Sequence, residues 1–194
     1  AYLATHPQEK RAAFLLGVHY MRGQMRELAH YFFTMLENEP AFPWRAPLLN
    51  NQGMLALQDK NRMSAMHYFE RAVKVEPPTA APHVNLGALY LQSRSYNDSL
   101  PLFETAHRLD SDLEDAVLGL GISLEGLGKY EDAHKLYSEY IDGHANATSV
   151  LYNEAIILGN RLKQREEASE IMLRYIQRGG KEAAKAHEII QGWR

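Results

Sequence analysis

Cysteine is absent from all 194 residues. That excludes disulfides, thiolate metal sites and a cysteine nucleophile, and it leaves the compartment open between cytoplasm and bacterial periplasm. No apolar run approaches the roughly 18 residues of a membrane span. Charge of one sign is also lacking. The formal net charge is −3, with 23 % charged and 45 % apolar residues, so nothing electrostatic points to nucleic acid. There is no Gly-x-x-x-x-Gly-Lys phosphate loop, and Gly119-x-Gly121 falls in the middle of a helical pattern. The nine histidines never take the spacing that sets two metal ligands on one helical face, and they read as surface or interface residues. The acidic pairs Glu131-Asp132 and Glu166-Glu167 fall where second helices begin, where they complement the helix dipole. No cofactor, metal site or catalytic set is expected. The sequons at Asn97 and Asn146 are short enough to arise by chance.

What the chain does have is a period. Gly53, Gly87 and Gly121 lie 34 residues apart, and so do Ala65, Ser99 and Ala133, and Phe69, Phe103 and Tyr137. Ala72, Ala106 and Tyr140 keep the same step. An upstream unit matches at a step of 36 through Gly17, Ala29, Phe33 and Leu36. A downstream unit has Ala155 in the glycine slot and an apparent one-residue insertion before Ala168. Self-similarity at this period marks a repeat array. Function is then expected on a long surface and not in a catalytic pocket.

Each unit reads as two amphipathic helices, with small residues letting backbones approach and an aromatic from the second helix filling the space. Turns are expected at Asp59–Asn61, Ser93–Ser95 and Gly126–Lys129, and Pro77-Pro78 closes the second helix of its unit. The extra residues near Pro40–Arg45 form an aromatic connector. Phe42 and Trp44 either plug the gap between two units or stand out as a contact ridge.

Leu86-Gly87-Ala88-Leu89-Tyr90 and Ala65-Met66-His67-Tyr68-Phe69 resemble the first- and second-helix cores of the tetratricopeptide repeat family, over roughly residues 10–181. The resemblance implies an all-α, right-handed superhelical solenoid of helix-turn-helix units. Repeats are expected at 10–45, 46–79, 80–113, 114–147 and 148–180. Residues 1–9 look like the end of a preceding repeat, which predicts that the natural protein continues upstream. Residues 181–194 should form a capping helix, with Ala184, His187, Glu188 and Gln191 outward and Ala183, Ala186, Ile189 and Ile190 inward.

In such a superhelix the first helices line the concave groove. The positions two before each glycine slot read Leu15, Asn51, Asn85, Gly119 and Asn153. The asparagines either form an intermittent amide ladder for a peptide backbone or serve helix–helix hydrogen bonding. Apolar residues surround them, including Phe14, Val18, Met21, Leu57 and Val84. The candidate peptide-binding set is Asn51, Met54, Asn85, Ala88, Leu91, Leu118, Ile122, Tyr152, Asn153 and Ile156. The cationic residues with which related arrays grip a chaperone's C-terminal carboxylate are missing from the equivalent places.

The leading expectation is a non-catalytic scaffold that binds a protein or peptide partner in the groove and supports complex assembly. Two alternatives are a substrate-recruiting arm of a larger enzyme and a bacterial envelope assembly protein for a pilus, secretion or motility machine. Self-association is also open.

Overall fold

A computed structural model describes residues 7–39, 42–144 and 146–193. The expectation for Ala1–His6, and the Pro40-Ala41 part of the connector, lie outside the described residues. Those described are helical throughout, without a strand. They group into two compact units, residues up to Leu86 and from Gly87 onward.

The first unit holds α1 (Pro7–Arg22), α2 (Arg26–Glu37), α3 (Arg45–Gln58), α4 (Arg62–Ala72) and the start of α5 (Ala80–Gln92). Its helices pair α1 with α2 and α3 with α4. The pairing follows from the small-residue slots. A Cβ on Gly17 would come within 2.5 Å of the Phe33 ring, and Gly53 is covered as closely by Phe69. Both rings are fully buried, as are Ala29, Leu36 and Ala65. Burial of a phenylalanine stabilises by about 1.5–3 kcal/mol, which here requires a neighbour without a side chain. The aromatic thus sits over the glycine of its own helix pair.

The connector is a plug. Phe42 is 4 % exposed and Trp44 half-buried, with ring centroids 5.8 and 5.4 Å from Phe14. Phe14 is therefore core and not groove. The α4 helix ends at Ala72, five residues before Pro77, so the Pro77-Pro78 pair follows the stop without causing it.

The second unit continues with α6 (Tyr96–Leu109), α7 (Glu114–Gly126), α8 (Tyr130–Gly143), α9 (Thr148–Ile156), a π-helical segment (Ile157–Leu162), α10 (Arg165–Gln177) and α11 (Ala183–Trp193). Phe103 covers both Gly87 and Gly119, and Tyr137 covers Gly121. The acidic pairs open α8 and α10. In α11, Ala186, Ile190 and Trp193 are buried while Ala184, His187, Glu188 and Gln191 are exposed.

The turns share one device. Gln24, Lys60, Arg94, Gly128 and Lys163 take the left-handed conformation, with φ between 55° and 76°. The next residue returns its N–H to a carbonyl five positions back, as in Asn61 to Ala56 at 2.8 Å and Lys129 to Leu124 at 2.9 Å. This is a Schellman closure, which satisfies carbonyls a helix end leaves open. Gly53, Gly87 and Gly121 stand seven residues before their left-handed residue, whereas Ala155 stands eight before Lys163. The extra residue is absorbed by the π-helical turn, and the closing bond widens to match, from Gln164 N–H to Leu158 O at 2.9 Å. A π-turn is what a single insertion into an α-helix produces.

Candidate peptide-binding faces

Each first helix has a sealed side and an open side. On α7, Val117, Leu120, Gly121 and Leu124 are buried, while Leu118 is half-buried and Ile122 is 37 % exposed. On α9, Val150, Leu151 and Ala155 are buried, while Tyr152, Asn153 and Ile156 are half-buried. Ala88 and Leu91 on α5 are half-buried too, as are Asn51, Met54 and Asn85 in the first unit. Residues four apart fall on one face of a helix, so Leu118 with Ile122 and Tyr152 with Ile156 form two open apolar strips. Glu125 continues the α7 strip. Burial raises its pKa, against the opposing pull of Arg161.

The asparagines are partly engaged. Asn85 Nδ2 donates to Asn50 Oδ1 at 2.7 Å, a bond between α5 and α3. Asn153 Nδ2 donates to the Ser149 carbonyl of its own helix at 3.0 Å. Each bond uses one of two amide N–H groups, and the side-chain oxygen adds an acceptor. Gly119 is buried beneath Phe103, whereas Leu15 is 54 % exposed.

Tyr152 is the best-braced of the candidates. Its ring centroid lies 5.2 Å from that of Tyr175, and Lys185 Nζ sits 5.8 Å from the ring. Tyr175 packs over Gly180, and its hydroxyl accepts the Glu182 N–H at 2.9 Å. Beside Tyr152 a cavity of about 400 Å³ opens between Thr148, Ser149, Tyr175 and Lys181.

Two buried polar residues escaped the sequence reading. The position before each glycine slot holds Leu86 and Leu120 in two repeats, but Gln52 and Glu154 in two others. All four are at most 8 % exposed. Gln52 Nε2 donates to Glu37 Oε2 at 2.7 Å, and Arg71 reaches Glu37 Oε1 at 2.6 Å. Burial disfavours the Glu37 carboxylate, yet those two hydrogen bonds leave its pKa below the usual value. Glu154 meets His134 Nδ1 at 2.6 Å through Oε1, while its Oε2 is buried without a partner. Burial pushes Glu154 up to about 7, against the pull of His134. The same burial raises the Tyr137 hydroxyl, with Glu125 and Glu154 adding to it. Reading the repeat columns for polarity would have exposed both residues.

Among the described residues no group of three or more His, Cys, Asp or Glu side chains is arranged to hold a metal ion. No helix among them is long and apolar enough to cross a membrane.

The tetratricopeptide repeat family matches residues 84–148. No curated protein matches the chain in sequence. Among solved structures the chain is similar to YrrB, described as a TPR protein with an unusual peptide-binding site, at TM-score 0.75 and 15 % identity, over 96 % of each chain. It is also similar to MamA from AMB-1, at TM-score 0.68 and 16 % identity, over 87 % of this chain and 91 % of that one. A MamA double mutant from RS-1 superposes at TM-score 0.74 and 15 % identity, over 90 % and 97 %. At such identities the likeness establishes the fold. With the match over residues 84–148 and the glycine-over-aromatic pairs Gly17–Phe33 and Gly53–Phe69 upstream of it, the chain has the all-α solenoid fold of the tetratricopeptide repeat proteins.

Proposed function

We propose that this protein is a non-catalytic interaction scaffold that holds a partner's peptide segment on the open sides of its first helices. The observation that carries the reading is the two-sidedness of those helices. All ten candidate residues are at least partly open to solvent, on helices whose other sides are sealed. Leaving apolar side chains such as Leu118, Ile122, Tyr152 and Ile156 open is unfavourable unless a partner covers them. Asn51, Asn85 and Asn153 supply amide groups that pair with a main chain whatever its side chains. Tetratricopeptide proteins serve in general as protein-binding scaffolds, and YrrB is described as having a peptide-binding site. A segment with apolar anchors suits this mixture.

The test places a photo-crosslinking residue at Ile122 and, as a control, at the exposed Lys135 on α8. Partner peptides should be trapped from Ile122 and not from Lys135, and Tyr152→Ala should reduce the yield several-fold in an array whose circular dichroism stays helical. Equal trapping at both positions would sink the reading.

A further inference from the structure

The second helices turn one flank to solvent, and in four of the five that flank is polar apart from Pro101 in α6. The residue after each left-handed turn residue, with those three and six further on, defines it. In α4 these are Asn61, Ser64 and His67; in α8 they are Lys129, Asp132 and Lys135. Asp98 and Glu167 hold the middle place in α6 and α10. In α2 the same places hold Met25, Leu28 and Tyr31, which are 49 %, 43 % and 63 % exposed.

A preceding repeat does not account for this. The pair α3–α4 has α1–α2 before it in the same unit, and Asn61 and His67 remain exposed. These places are not repeat-to-repeat packing surface, so their apolarity in α2 calls for another partner. Met63 strengthens the case. It is 85 % exposed, in a place held elsewhere by Glu27, Asn97, Glu131 and Glu166. Arg26 joins its neighbourhood to α2, donating to the Gln58 carbonyl at 3.3 Å and to Asp59 at 3.2 Å.

The charges favour one kind of occupant. Asp59 is already taken by Arg26 and, at 2.7 Å, by His30. Among the described residues on this rim, Arg22 and Lys60 make no ion pair, against the single acid Glu27. The α2 backbone spends its hydrogen bonds within the helix, so an extended strand would gain no main-chain pairing there. A row of knobs at i, i+3 and i+6 instead suits the ridges of another helix.

We propose that the outer flank of α2 is a second docking surface, and that its partner is an amphipathic helix whose apolar stripe is bordered by acidic side chains. It is independent of the first-helix faces.

Two synthetic helical peptides test it, sharing one leucine stripe but flanked by glutamates in one and lysines in the other. Fluorescence anisotropy is read against the wild type and against Met25→Asn/Leu28→Ser/Tyr31→His, which installs the residues the second repeat already tolerates. The glutamate peptide should bind about tenfold tighter than the lysine peptide, and the triple variant should lose about tenfold. Ile122→Lys should leave that binding intact. Should the triple variant lose its helical circular dichroism, Tyr31→His alone is read in the same way. Equal binding of both peptides, or indifference to the flank variants, overturns the proposal. Sedimentation that shows a dimer dissolved by the triple variant overturns it too, and assigns the flank to a second copy.

Discussion

The buried Glu154 pairs with the half-buried His134, Oε1 to Nδ1 at 2.6 Å, and its second carboxylate oxygen has no partner. Glu154 stands, fully buried, where Leu86 and Leu120 stand in other repeats. A carboxylate in that place loses its hydration and recovers it only through one imidazole, which is why its proton is held up to about pH 7.

That proton makes stability depend on pH. In the unfolded chain the carboxyl titrates near its ordinary value of 4.5, and in the fold at about 7. Between those limits the native state holds more protons, so the contribution of Glu154 is fully present below the lower limit and is lost as pH rises through the upper one. Glu154→Leu should remove that slope. It should also raise stability at pH 8 by about 1–3 kcal/mol, because it removes a buried charged carboxylate while the half-buried His134 it leaves behind is reached by water. Urea unfolding of both proteins from pH 5 to 8 checks this; parallel curves would mean that Glu154 is ionised throughout.

Tyr137 over Gly121 yields a second prediction. A Cβ on Gly121 would overlap the ring, and Tyr137 is fully buried with its hydroxyl directed to the Leu118 carbonyl at 3.4 Å. Gly121→Ala should therefore cost about 1–3 kcal/mol by overpacking, despite alanine's higher helix propensity. Gly143, the last residue of α8, has nothing within 4 Å of an added Cβ. Gly143→Ala should be neutral or stabilising by up to about 1 kcal/mol. If the two substitutions have equal effects in thermal unfolding, the glycine slots are not set by packing.

Much of this was legible in the repeat columns, for a physical reason. A contact that recurs in every unit, such as Phe69 on Gly53 and Phe103 on Gly87, imposes the same residue sizes each time and leaves a period. Contacts made once leave none. Glu154 resembles any solvent-facing helical glutamate until its column is compared with Leu86 and Leu120. Phe14 sits in a place that is open elsewhere, and only the folded-in Phe42 and Trp44 make it core. The helical faces bearing the candidate site follow from helical spacing, but not that Asn85 spends an amide proton on Asn50. The insertion before Ala168 was visible as a slip in register, while its form as a π-turn depends on what packs against it.

Trp193 is what packs there. Its ring lies over Gly159, and its Nε1 donates to Asn160 Oδ1 at 2.9 Å. The π-turn thus presents a bare backbone and an amide to the C-terminal helix. Deleting the exposed Arg161 would restore the spacing of the other four turns, which form α-helix without difficulty, so the array should still fold. The deletion rotates whatever follows it by about 100°, and Asn160 should lose its place in the hydrogen bond as the π-turn closes to α. Amide exchange should then show α11 losing protection while α7 and α8 keep theirs, and in a Trp44→Phe background the Trp193 fluorescence should shift to the red. Unchanged α11 protection would show that Ala186 and Ile190 alone dock the helix, leaving the π-turn a tolerated insertion without a packing role.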